Sequence, residues 1–72
     1  MGDTPTADDI TLTLERLTSH ITTSRLLLLD LERACILRGS DVLTPNLETL
    51  RKQLAEIHLC SMNTTNTWID GS

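Results

Sequence analysis

The sequence predicts an all-α fold: an antiparallel two-helix hairpin, coiled-coil-like, completed by oligomerisation or by a partner. Three observations predict it. Apolar residues recur at steps of three and four in two separate runs, a stop signal and a restart signal lie between the runs, and the chain has almost no aromatic residues. With one Trp and no Phe or Tyr, the core must be built from leucine and isoleucine, which suits helix against helix. At 72 residues the chain makes one small domain whose own core is thin.

The first helix is expected over about residues 7–38, after a disordered leader, residues 1–6. Thr6 and Asp9 form a capping box with Asp in place of Glu, and Asp8 and Asp9 suit the positive end of the helix. Ile10, Leu14, Leu17, Ile21, Leu28, Leu31 and Cys35 then follow a heptad seam interrupted by Ser24. The weakest stretch is "TSHITTS", Thr18 to Ser24, where β-branched and hydroxyl residues lower helix propensity and leave room for a bend or slack.

Arg38-Gly39 is the stop: a cation at the negative end, then a glycine able to take the left-handed cap. Residues 39–44 make the turn. The second helix is expected over about 45–61, with Thr44 as N-cap and Pro45 at the first helical position. Leu43, Leu47, Leu50, Leu54 and Ile57 supply its seam. Residues 62–72, "MNTTNTWIDGS", show no apolar period and read as a flexible tail in which Trp68 and Ile69 are the one apolar pair.

Charge and composition exclude several classes of function. A net charge of -4 and a pI near 4.8 disfavour nucleic acid, whose phosphates need basic residues to replace counterions. They disfavour an anionic membrane surface as well. The longest apolar run, Leu26–Leu29, ends at Asp30, far short of a span. No basic-then-apolar leader opens the chain, so the expected setting is the cytoplasm, with Cys35 and Cys60 as free thiols. In the hairpin the two cysteines are offset by about 13 residues, roughly 20 Å along the axis, too far for a disulfide.

Catalysis has no foothold here. There is no nucleophile elbow, no phosphate-cradling glycine loop and no carboxylate pair placed for acid–base work, so no enzyme and no cofactor is expected. His20, His58 and Cys60 are the candidates for a metal constellation, with His20 and His58 at about one level of the hairpin. No Cys-x-x-Cys pair supports a zinc site, so no metal is expected and the two histidines read as interfacial.

What remains is leucine in excess. Four consecutive leucines sweep most of a helix circumference, so "LLLL" cannot all face one partner helix. Taking the seam as positions a and d, Leu26, Leu29 and Ile36 fall on the opposite side, with Leu37 and Leu12 nearby. Each such side chain left in water forgoes roughly 1.5–3 kcal/mol of burial. Leu26, Leu29, Ile36 and Leu37 are therefore the expected partner-binding residues, and the expected function is protein binding by helix-to-helix burial.

The stretch from Thr11 to Ile57 resembles the small helical-hairpin co-chaperones of type III secretion needle subunits. The likeness lies in the opening "TLTLE", the leucine- and arginine-rich end of helix 1 and the proline just after the turn, Pro45. The resemblance implies a small subunit that pairs with a helical-repeat chaperone and keeps a secreted helical subunit monomeric in the cytoplasm. The alternative on the residues alone is a homodimeric four-helix bundle with a structural or scaffolding task. Self-association as a homodimer or one of those two protein partners would cover the leucines.

Overall fold

The computed structural model describes residues 4–71. Of the leader expected at residues 1–6, residues 1–3 lie outside the described residues. Two helices make the fold, α1 over Ala7–Arg38 and α2 over Thr44–Gly71, packed side by side as a hairpin with no strand among the described residues. The pair measures 52 × 25 × 15 Å, a layer little thicker than one helix with its side chains.

Local chemistry sets the ends of α1. The Thr6 hydroxyl accepts from the Asp9 amide at 3.1 Å, and the Thr6 amide donates to Asp9 Oδ2 at 3.0 Å, closing the capping box. At the other end Gly39 takes φ 73°, ψ 26°. From there the Gly39 amide donates to the Ile36 carbonyl and the Ser40 amide to the Cys35 carbonyl, both at 3.0 Å. The hydroxyl-rich middle of α1 stays helical without a break. Thr22, Thr23 and Ser24 each donate to the carbonyl four residues back, which satisfies the hydroxyls locally.

The turn is tighter than the sequence suggests. The Thr44 amide donates to the Asp41 carbonyl and the Leu47 amide to the Leu43 carbonyl, so helical bonding starts at Leu43 and Thr44 is already inside α2. Pro45 still sits in the first turn, where its missing N–H goes unneeded.

The larger correction concerns the tail. Met62 through Gly71 continue α2 rather than forming a flexible tail, and only Ser72 of that segment lies outside the described residues. Apolar period alone cannot detect this, because of the residues that face α1 here Ser61 and Thr65 are small and polar, which leaves Trp68 as a lone apolar one. Ser61 is buried, and Thr65 and Trp68 are half-buried. The Trp68 indole N–H donates to Thr11 Oγ1 at 3.0 Å across the two helices, anchoring the last turns. Thr64, Thr65 and Thr67 return their hydroxyls to carbonyls four residues back.

The seam also differs from the expected one. Leu14, Ile21, Leu28 and Cys35 do face α2, but Ile10, Leu17, Ser24 and Leu31 do not alternate with them. Their places are taken one residue later by Thr11, Thr18, Arg25 and Glu32, as the cross-helix bonds of these four residues show. The same half-step occurs on α2, where Leu47 and Leu54 keep their places while Arg51 and His58 replace Leu50 and Ile57. Leu17, Leu31, Leu43, Leu50 and Ile57 are accordingly 42–49% exposed.

Trp68→Ala is expected to lower stability by about 2 kcal/mol and to fray α2 beyond Ser61. Urea unfolding followed by circular dichroism measures it; an unchanged midpoint would contradict the docking of Trp68.

Candidate protein-binding faces

The seam is half polar, and its polar residues pair across it. On α1 they fall seven apart, at Thr11, Thr18, Arg25 and Glu32, one heptad position. Trp68 meets the first. Thr18 Oγ1 and Ser61 Oγ share a hydrogen bond at 2.7 Å. Arg25 Nη1 donates to His58 Nδ1 at 3.1 Å, which leaves the imidazole proton on Nε2, pointing at Thr22 Oγ1 3.5 Å away. Arg51 pairs with Glu32 Oε2, while Glu32 Oε1 is enclosed with no hydrogen-bond partner among the described residues. Between these layers the apolar contribution is small: Ile21, Leu28 and Leu47 are the buried aliphatics.

A one-layer hairpin has two flanks, and each carries exposed aliphatic side chains. On the first flank Leu17 and Ile57 share a shallow groove with Ile21, Cys60, Ser61 and Thr64. On the second, Leu29 borders a hollow beside Arg25, Glu32 and Arg51, and Ile36 borders another beside Cys35, Leu47 and Glu48. The four residues singled out from the sequence are all exposed: Leu26 58%, Leu29 56%, Ile36 77% and Leu37 81%. Leu26, Leu29 and Ile36 form one strip along α1 at steps of three and seven. Leu37, one residue on from Ile36, is turned about 100° away from it.

The metal candidates are not brought together. His20 Nδ1 donates to the Arg16 carbonyl at 2.7 Å on the outside of α1, whereas His58 lies in the seam. Among the described residues no group of three His, Cys, Asp or Glu side chains stands close enough to hold a metal ion. Cys35 is half-buried and Cys60 exposed, both free thiols. No helix among the described residues is long and apolar enough to cross a membrane.

Counting apolar residues missed Thr11, Thr18, Arg25, Glu32, Arg51 and His58 as seam residues. A signal for them was available: polar residues repeating every seven on α1 and at Arg51, His58 and Thr65 on α2. Comparison of the chain with family models, with curated proteins and with solved structures finds no match.

Arg51→Leu alone is expected to cost about 1–2 kcal/mol, because it leaves the Glu32 carboxylate enclosed without its cation. The double variant Glu32→Leu/Arg51→Leu should recover that loss or exceed the native stability. Thermal unfolding of the three proteins decides; a double variant no better than the single one would contradict the pairing.

Proposed function

We propose that the hairpin is a small non-enzymatic chaperone or adaptor that binds a partner protein through exposed leucine on α1. The observation that carries this reading is the strip of Leu26, Leu29 and Ile36, with Leu37 beyond it, held in water on a rigid helix. A helix presents such a strip at fixed spacing, so an amphipathic helix of the partner can lay its own apolar face along it. Exposed aliphatic side chains grouped along one side of a helix are a feature of interaction surfaces. The flanking charges, Arg33 and Glu48 among them, would set the rim of such a contact.

Within that class, the narrower proposal is a co-chaperone of a type III secretion needle subunit, acting in the cytoplasm. It rests on the resemblance of residues 11–57 to those hairpins. Its physical logic is that a polymerising subunit has an apolar helix that must stay covered, and a small hairpin covers it with little added mass. A helical-repeat chaperone and the secreted helical subunit would then be the partners.

Tagged chain recovered from its native cells tests both levels, with bound proteins identified by mass spectrometry. Leu29→Asp/Ile36→Asp is expected to abolish partner capture while far-ultraviolet circular dichroism stays helical. Undiminished capture, or loss of helicity, would contradict the assignment of this face. Recovery of a helical-repeat chaperone with a small secreted subunit is the result expected of the narrower proposal, and its absence from an otherwise partner-bound sample would overturn it.

A further inference from the structure

We infer that the first flank, with Leu17 and Leu31 of α1 beside Leu43 of the turn and Leu50 and Ile57 of α2, is the contact between two copies of this chain, giving a four-helix bundle. The inference is separate from the adaptor reading, which uses the opposite flank.

Stripe width is the first argument. On α1 the apolar residues at Ile10, Leu17 and Leu31 adjoin the seam residues Leu14, Ile21 and Leu28, so two positions per heptad are apolar and the hairpin covers only one of them well. The seam with α2 already takes two positions per heptad, that of Leu14, Ile21 and Leu28 and the polar one of Thr11, Thr18, Arg25 and Glu32, so the row of Ile10, Leu17 and Leu31 is a third, as a helix in a bundle has. The stripe points between α2 and open water.

Charge selects the occupant. The two rows that build this flank, residues 10–38 along α1 and 43–64 from the turn into α2 in steps of seven, carry one charged side chain, the cation Arg38 at the end of α1, and no carboxylate. The equivalent rows on the other flank carry Asp8, Glu15 and Glu48. In a chain of net charge -4, a second copy meets least repulsion on the flank without carboxylates.

The area suffices. The chain exposes 5826 Å². A compact protein of 8.0 kDa exposes about 4,400 Å², so the surplus is roughly 1,400 Å² per chain. A standard stable interface takes about 800 Å² from each partner. The flank is also self-complementary. His58 lies level with Thr22 and Arg25, which puts Ile57 level with Ser24 at the middle of the face. A two-fold axis there sets Leu17 of one copy opposite Leu31 of the other, about 10 Å either side of the axis.

Sedimentation equilibrium across a dilution series tests this with the whole chain and three variants. The native chain and Leu29→Asp/Ile36→Asp should both run at twice 8.0 kDa at micromolar concentration. Leu50→Asp/Ile57→Asp should lose the doubled mass. Because that variant can unfold for other reasons, Thr64→Leu is the independent arm. It extends the aliphatic row without entering the seam and should tighten self-association about tenfold. A native mass of one chain or of more than two overturns the inference. So does a doubled mass that survives Leu50→Asp/Ile57→Asp, one that is lost with Leu29→Asp/Ile36→Asp, or a Thr64→Leu variant that associates no more tightly.

Discussion

The hairpin depends on a ladder of polar contacts in its seam: Thr11 with Trp68, Thr18 with Ser61, Arg25 with His58 and Glu32 with Arg51. Three buried aliphatic side chains supply roughly 1.5–3 kcal/mol each, and alone they specify no register, since leucine packs against leucine at many offsets. A polar residue recurring at one heptad position does specify it, because any slip leaves a donor or acceptor unpaired. The ladder determines which way each helix is turned, and therefore which leucines are outside.

That turn explains why exposed leucine occurs on both flanks. With polar residues occupying half the seam, the apolar residues that a simpler coiled coil would bury stand on its edges. A hairpin built this way is under-covered by design of its sequence. The layer is 15 Å thick and can stack on either side. The carboxylate-free flank and the Leu26, Leu29 and Ile36 strip differ in charge, so the two flanks can serve different neighbours without competing.

Much of this was legible in the residues. The ends of α1 follow from Thr6, Asp9 and Gly39, whose bonds are local and need no knowledge of the rest of the chain. The hairpin follows from the apolar periods and the stop at Gly39, and half the seam follows too, since Leu14, Ile21, Leu28, Leu47 and Leu54 belong to either register. The other half was hidden because Thr18, Arg25 and Glu32 count as surface residues in any hydropathy reading, although each finds a partner on α2. The last ten residues of α2 were hidden for a related reason. Threonine-rich sequence has weak helix propensity, and it takes the long-range contact of Trp68 with Thr11, 57 residues away, to hold it.

The most direct measurement of the central claim is a nuclear Overhauser spectrum centred on the Trp68 indole. The seam described here predicts cross-peaks from the indole N–H to the Thr11 methyl group, with the Thr18 and Ser61 side chains in contact seven residues further along. An indole with no cross-peaks to α1, on a C-terminal segment averaging like random coil, would contradict the register and with it the placement of both faces.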